Sequence, residues 1–231
     1  MGKDHLKSIA APRTWPVSRK ESVFVARPKS GKPMELSLPL VVVLRNLLKV
    51  CETTKQVKAA LTAGHIKVAN KLRKDCRYPV GLFDVVELVP DAKSYRLVLS
   101  EFGRLNVIPV AQKETARSLQ QIRDIMLVKG GQTQISLRNG GNVIVDKKDA
   151  SKYHVGDSVI LDETNSIVKH IELKPGVYVQ FSGGRHIGQF GTVETIEHQK
   201  IIVKSEKKHI ETLKQYAYAV GDKTSELTIT Q

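Results

Sequence analysis

From Tyr95 onward the apolar residues recur mostly at every second position, and glycine-containing turns separate the runs. Alternation of this kind predicts half-buried β-strands, and many short strands with glycine turns are typical of small barrels. The strand candidates are Tyr95–Leu99, Arg104–Val110, Thr133–Leu137, Asn142–Val145, Ser158–Leu161 and Ile167–Leu173, with further strands around a glycine-rich loop within residues 176–206. Asn139-Gly140 lies between two alternating runs and predicts a hairpin turn.

One helix is expected to interrupt these strands, at Lys113–Met126. Its apolar residues Ala116, Leu119, Ile122 and Met126 have the spacing of a single helical stripe.

Residues 37–94 have a different pattern. Pro39 opens an apolar segment that predicts a helix over Leu40–Val50, and a second helix is expected to begin near Thr53 or Thr54 and to end at Gly64. Short strands are predicted at His65–Val68 and Asp84–Val89, with a turn at Asn70–Lys71. The expected fold class is therefore mixed α+β and mostly β. The expected parts are a basic amino-terminal arm at 1–36, a small helix-and-strand domain at 37–94, a central barrel-like β-rich domain at 95–173 and a carboxy-terminal β domain at 174–231.

The positive charge is concentrated at the amino-terminal end. Residues 1–80 hold 17 Lys/Arg against 5 Asp/Glu, a net of +12, whereas residues 81–231 hold 20 against 18, a net of +2. A concentrated excess is the electrostatic footprint of a protein that binds a polyanion, and the high isoelectric point favours nucleic acid or an anionic membrane. No stretch approaches the 18 or so apolar residues of a spanning helix, and Met1–Lys7 lacks the pattern of a signal peptide. The expected location is the cytoplasm.

The arm, residues 1–36, alternates cations with four prolines, which disfavour helix and remove backbone donors. Two interpretations stay open at this point, a disordered terminus and an arm that becomes ordered only against RNA. Trp15 favours the second, because a lone tryptophan in a solvated tail is costly unless it docks on protein or stacks on a base. The candidate RNA contacts in the arm are Lys3, His5, Lys7, Arg13, Trp15, Arg19 and Lys20.

The two predicted helices and the following strand-and-turn unit would gather cations that can meet RNA phosphates. They are Arg45, Lys49, Lys55 and Lys58 on the helices, and Lys67, Lys71, Arg73, Lys74 and Arg77 after them, with His65 and Asn70 as further candidates. The pattern from Leu40 to Leu88 resembles the αL RNA-binding motif, which ribosomal protein S4, pseudouridine synthases and tyrosyl-tRNA synthetases share. That motif usually has Asn-Gly or Asp-Gly at its turn; here Ala69-Asn70 stands there, and Asn70 is expected to supply the left-handed residue. The alternative is a merely solvated basic helix face.

Residues 176–193 contain a glycine-rich loop between two apolar runs. The stretch resembles the KOW motif of ribosomal proteins and NusG-like transcription factors, in which a tight loop lets the backbone approach RNA. The candidate contacts are Gly183, Gly184, Arg185 and His186, and the alternative is a hairpin that binds no ligand. A P-loop is excluded, because Gln189-Phe190 replaces the required Lys and Ser/Thr. The spacing Gly188-Gln189-Phe190-Gly191 also matches a KH loop, which lacks its flanking helices here.

The order of arm, αL motif, barrel-like middle and KOW motif resembles the archaeal and eukaryotic S4e family of small-subunit ribosomal proteins. Leu44-Arg45-Asn46, Tyr78-Pro79-Val80-Gly81 and Val155-Gly156-Asp157 fit the same pattern. The resemblance implies a structural protein of the small ribosomal subunit, with small-subunit rRNA and neighbouring ribosomal proteins as partners. It also implies an SH3-like barrel around the KOW loop, and the end at Gln231 favours the archaeal type.

An enzyme is the main alternative, since αL motifs also precede pseudouridine synthase domains. Those enzymes use the aspartate of a Gly-Arg-Leu-Asp loop, and this chain has Gly103-Arg104-Leu105-Asn106, whose amide cannot act as an anionic nucleophile. A KOW-type transcription or translation factor is the other alternative. No metal, cofactor, small-molecule substrate or membrane partner is expected, and Cys51 and Cys76 are expected to be reduced thiols.

Overall fold

The computed structural model describes residues 5–128, 130–205, 209–222 and 224–229. The described residues divide into two compact units. The first comprises residues 5–99 and 104–116, and the second comprises residues 100–103 and 117–229. Strands predominate over helices in the described chain, so the predicted class, mixed α+β and mostly β, is confirmed.

The first unit is built on a five-stranded antiparallel sheet with short helical segments and a folded arm. Its elements are β1 (Leu6–Lys7), β2 (Phe24–Val25), β3 (Ser37–Pro39), α1 (Leu40–Val42), a π-helical turn (Val43–Leu47), α2 (Thr54–Thr62), β4 (Ile66–Val68), β5 (Lys71–Leu72), β6 (Pro79–Gly81), β7 (Val85–Leu88), β8 (Lys93–Leu99), β9 (Leu105–Val110) and α3 (Gln112–Thr115). The main sheet has the order β5-β4-β7-β8-β9, while β1 pairs with β2 and β3 pairs with β6. The predicted boundary between residues 94 and 95 lies inside β8, which pairs with β7 on one side and β9 on the other.

The two predicted helices are present, and the first is shorter than expected. Helix α1 passes directly into the π-helical turn, where the Leu48 amide donates to the Val43 carbonyl at 2.9 Å. Lys49 then adopts φ 53°, a left-handed conformation that stops the helix before Val50. Helix α2 begins at a capping box in which Thr53 and Gln56 satisfy each other's backbone amides.

The turn between β4 and β5 has two residues in the left-handed region. Val68 pairs with Lys71, so Ala69 and Asn70 form a two-residue hairpin loop with φ 49° and φ 61°. Positive φ at both positions is the geometry of a type I′ turn. The prediction for Asn70 is confirmed; that Ala69 also adopts positive φ was not predicted.

The second unit contains two five-stranded antiparallel sheets. Its elements are β10 (Ser118–Leu127), β11 (Thr133–Leu137), β12 (Asn142–Val145), α4 (Lys147–Ala150), β13 (Ser158–Leu161), β14 (Ile167–Ile171), β15 (Tyr178–Phe181), β16 (Phe190–Glu197), β17 (Lys200–Lys204), β18 (His209–Leu213) and β19 (Ala217–Gly221). The strand orders are β12-β11-β10-β13-β14 and β18-β17-β16-β15-β19. In the second sheet the last strand returns beside the first, which is the strand order of an SH3-like barrel.

The predicted helix at Lys113–Met126 is wrong. The chain forms the single turn α3 and then the ten-residue strand β10. Four consecutive residues, Leu119 to Ile122, are buried, because one half of β10 pairs with β13, the other half pairs with β11, and both faces are covered. Gln121 is buried with its amide donating to the carbonyls of Gly156 and Ala217 at 3.2 and 2.8 Å. The apolar spacing imitated a helical stripe, and tertiary pairing decided the strand.

Asp157 organises the turn before β13. Its carboxylate accepts the backbone amides of His154 and Leu173 at 3.0 and 2.9 Å and lies 2.8 Å from the His170 ring nitrogen Nε2. The side chain is buried, so these partners replace the water that it loses on folding.

The arm is folded onto the first unit, contrary to the prediction that it becomes ordered only against RNA. Trp15 is 3% exposed, and its indole Nε1 donates to the Met34 carbonyl at 3.1 Å. The Thr14 hydroxyl donates to the Glu35 carbonyl at 2.6 Å. The Thr14 carbonyl accepts a hydrogen bond from the Leu105 amide at 2.7 Å. Prolines prevent the arm from building regular structure of its own, but they do not prevent it from packing on an existing core.

We expect Trp15, the single tryptophan of the chain, to report this docking in the absence of RNA. Its fluorescence should be that of a buried indole and should shift to the red when urea unfolds the protein. Trp15→Ala should lower the free energy of unfolding by about 3–5 kcal/mol, because it removes a large buried ring. Urea titrations followed by circular dichroism measure the loss. A solvent-like emission spectrum in the native protein would contradict the docked arm.

Candidate nucleic-acid interface

Helix α2 directs its cations away from the core. Val57 and Leu61 are fully buried on one face, whereas Lys55 and Lys58, three residues apart, are exposed on another. Arg45 in the π-helical turn and Lys49 just after it are exposed as well. Within the described residues, none of these four cations forms an ion pair with a carboxylate. Their charge is therefore available to an external anion.

A second cationic group lies where the end of the arm meets residues 73–78, the connection between β5 and β6. The Lys29 amide donates to the Arg77 carbonyl at 2.9 Å, and the Lys29 ammonium forms an ion pair with Asp75. The Arg73 guanidinium lies 4.2 Å from the centre of the Tyr78 ring, and the Lys32 ammonium lies 5.4 Å from the same centre.

The structure thus adds Lys29 and Lys32 to a neighbourhood for which the sequence predicted Arg73, Lys74 and Arg77. The sequence signal that could have found them, the charge of residues 29–32, was assigned only to the arm. Lys74 is exposed, and Arg73 and Arg77 are half-buried. We call Lys29, Lys32, Arg73, Lys74 and Arg77 the strap cluster.

The predicted strand residues have mixed environments. Lys67 lies 3.6 Å from Glu87 on the neighbouring strand, which reduces its net charge, whereas Lys71 is exposed at the sheet edge. His65 is exposed, and Asn70 donates its side-chain amide to the Ala116 carbonyl at 3.4 Å. Asn70 therefore shapes the hairpin in addition to any contact with RNA.

Two of the predicted arm contacts are structural in this protein. Trp15 is buried and hydrogen-bonded, so its ring is not available to stack on a base. Arg19 donates to the carbonyls of Ile9, Ala11 and Pro12, each at 3.1 Å, and so fixes the arm's own backbone. These two predictions are corrected, because the groups that would face RNA already face the protein.

The other arm candidates lie at the surface. Lys7, Arg13 and Lys20 are exposed, and the His5 ring packs edge-on against Phe24 with centroids 5.6 Å apart. Lys3 lies outside the described residues.

The glycine-rich loop lies between β15 and β16, as predicted. A Cβ on Gly183 would lie 2.5 Å from the Tyr216 ring, so this glycine admits that ring rather than leaving open space for RNA. Gly184 and Arg185 are exposed, and His186 is half-buried with Nδ1 3.2 Å from the Gln189 side-chain oxygen. Arg185 is thus the one predicted cation of this loop with an open surface.

Other kinds of site find little support. Within the ranges described above, no group of three or more His, Cys, Asp or Glu side chains could hold a metal ion. No helix of the described chain is long and apolar enough to cross a membrane. Asn106 is exposed on strand β9, and its side-chain oxygen accepts the Val107 amide at 2.9 Å. Cys51 and Cys76 are free thiols.

Known proteins are similar in sequence to this chain over nearly its whole length. The family model for ribosomal family S4e matches residues 91–167, and the RS4NT (NUC023) domain matches residues 1–32. The small ribosomal subunit protein eS4 of Methanococcus aeolicus is 37% identical over 95% of both chains, and that of Methanocella arvoryzae is 34% identical over 94% of both. The chain belongs to the S4e family.

The fold of this S4e member agrees with a solved relative. The crystal structure of the 30S ribosomal protein S4e from Thermoplasma acidophilum superposes with a TM-score of 0.67, at 23% identity, over 81% of this chain and 95% of that one. The resemblance drawn from the αL and KOW patterns is confirmed at the level of the family. Its archaeal type is confirmed by the archaeal relatives.

The ion pair between Lys29 and Asp75 predicts a pH dependence of stability. The hydrogen bond from Lys29 holds the pKa of Asp75 below its usual 3.8, with burial acting in the opposite direction and the Arg77 amide assisting. A carboxyl whose pKa is lowered on folding stabilises the native state above its unfolded pKa, and the effect disappears as the pH falls through the native pKa. Asp75→Asn should therefore be less stable than the unaltered protein at pH 7, by less than about 1 kcal/mol because the pair is partly exposed.

Urea titrations at pH 7, 5 and 3 measure this difference. It should stay constant between pH 7 and pH 5 and shrink at pH 3. Asp91→Asn is the control, because Asp91 is exposed and forms no ion pair with any residue that the structure describes. If the difference in unfolding free energy between the two proteins grew as the pH fell, the stabilising role of the Lys29–Asp75 ion pair would be contradicted.

Proposed function

We propose that this chain is a non-catalytic structural constituent of the small ribosomal subunit that binds rRNA through the cationic surface of its first unit. The eS4 proteins that it resembles are named as small ribosomal subunit proteins. The rRNA partner, neighbouring small-subunit proteins and a cytoplasmic location are parts of this proposal. The arm, the αL domain, the central domain and the KOW domain are proposed as its functional parts.

The observation that carries the proposal is the set of exposed cations without acidic partners in the first unit. Among the described residues this set includes Arg45, Lys49, Lys55, Lys58, Lys71 and Lys74. In the second unit, by contrast, three exposed lysines are paired: Lys152, Lys169 and Lys200 form ion pairs with Asp149, Glu226 and Glu211. Unpaired cations can release counterions from RNA on binding, and that release drives association.

The three paired lysines also have raised pKa values. Their hydrogen bonds to those carboxylates are the main cause in each case. Their charge is used within the protein, so it contributes little to an external field.

The pseudouridine synthase alternative finds no nucleophile at the position where the sequence placed it. Asn106 offers an amide where a pseudouridine synthase needs a carboxylate, and its oxygen is occupied by a backbone amide. The proposal therefore assigns contact and shape, not chemistry, to this protein.

Replacing Lys71, Arg73 and Lys74 by Ala should weaken binding to a transcript of the Methanococcus aeolicus small-subunit rRNA. Each lost phosphate contact lowers the slope of log K against log salt by about 0.9, so the slope should fall in magnitude by about 2 to 3. Filter binding between 50 and 200 mM salt measures the slope.

The matched control replaces Lys152, Lys169 and Lys200 by Ala, which removes the same formal charge from paired positions. For this control, the slope of log K against log salt should differ from that of the unaltered protein by less than about 1. Equal losses in the two triple variants would show that net charge, and not the first unit's surface, governs binding.

A further inference from the structure

The Tyr78 ring lies against a guanidinium whose hydrogen-bonding edge is unused. The Arg73 guanidinium carbon lies over the ring, 4.2 Å from its centre, and within the described part of the chain no carboxylate pairs with Arg73. Its Nε is buried and has no hydrogen-bond partner there. A guanidinium over a ring face keeps the N–H groups of its two terminal nitrogens free, and these match two oxygens of one phosphate.

The backbone holds the ring in place. The Tyr78 amide donates to the Asp75 carbonyl at 3.1 Å, and the Tyr78 carbonyl accepts the Leu40 amide at 2.9 Å. Tyr78 thus lies between a turn and the first residue of α1, and the next residue, Pro79, begins the paired strand β6. A ring anchored in this way can restrict Arg73, whose free side chain would otherwise lose about 2 kcal/mol of rotamer entropy on binding.

The two cations near the ring differ in their ion pairing. Lys32 forms a buried ion pair with Asp84, so its charge is used inside the protein. Arg73 has no such partner among the described residues, and Lys74 beside it is exposed. The surface around the Arg73 guanidinium is therefore positive, which favours an anion with several oxygens.

We propose that Tyr78 is a positioning residue that holds the Arg73 guanidinium for a two-pronged contact with one phosphate of the RNA backbone. This inference rests on the proposed function and gives one predicted contact a geometry. It also assigns a role to Tyr78, the first residue of the Tyr78-Pro79-Val80-Gly81 segment that fits the S4e pattern.

The test measures binding to the Methanococcus aeolicus small-subunit rRNA transcript as a function of salt. Tyr78→Leu should weaken binding by about 3- to 10-fold, the range expected when a cation loses an aromatic face. Tyr78→Phe keeps the ring and should bind within twofold of the unaltered protein. Arg73→Lys should bind more weakly at an unchanged salt slope, because it keeps the charge and loses the fork. Arg73→Ala should lower the slope by about 0.9.

A double-mutant cycle separates positioning from general stability. If Tyr78 acts through Arg73, Tyr78→Leu should cost no further affinity in the Arg73→Ala background. If Tyr78 only supports the fold, the same substitution should cost as much in that background as in the unaltered protein, and the inference is then overturned.

Two further outcomes distinguish this inference from the proposed function. Normal rRNA binding by Arg73→Ala, with a loss in the Lys71, Arg73 and Lys74 triple variant, overturns the inference alone, because Lys71 and Lys74 then account for the loss. Normal binding by the triple variant overturns both.

Discussion

The buried ion pair between Lys32 and Asp84 ties the arm to the core of the first unit. Asp84 is 1% exposed and also accepts the Gly81 amide at 2.8 Å, so its carboxylate is satisfied from two directions. Loss of one partner from a buried pair leaves an uncompensated charge, at a cost of about 3–5 kcal/mol. The carbonyls that receive the Thr14 and Trp15 side chains belong to Glu35 and Met34, close after Lys32. The docking of the arm therefore depends on this pair.

The parts of the fold that the sequence predicted are those set by local chemistry. Capping groups predicted the start of α2 at Thr53 and its end at Gly64, and both are present. Alternation predicted the strands Thr133–Leu137 and Asn142–Val145, which are also present. The parts it did not predict are set by distant partners. The strand β10 exists because β11 and β13 lie on either side of it. Gln120 and Gln121 gave no local signal against the helix, because both lie outside its predicted apolar stripe and glutamine is a good helix former.

The same distinction applies to the candidate interface. Charge counting identified the amino-terminal third, and exposed lysines such as Lys55 and Lys58 agree with it. Counting cannot tell a cation that faces solvent from one that the fold uses. The Arg19 guanidinium, for example, donates hydrogen bonds to three backbone carbonyls of the arm. Arg96 is fully buried beside Glu114, and burial lowers its pKa while the carboxylate opposes the change. Only the contacts of each side chain separate these roles.

A docked arm changes the energetics expected for RNA binding. An arm that orders only on RNA loses backbone entropy of about 1–2 kcal/mol per residue at that moment, which weakens the complex. Here the ordering of the segment around Trp15 and of residues 29–36 takes place when the protein folds. In the proposed complex, the counterions released by exposed cations such as Lys7, Arg13 and Lys74 contribute to affinity without that cost. A preorganised surface of this kind binds through many modest contacts, and its affinity depends on how rigidly residues such as Tyr78 hold their neighbours.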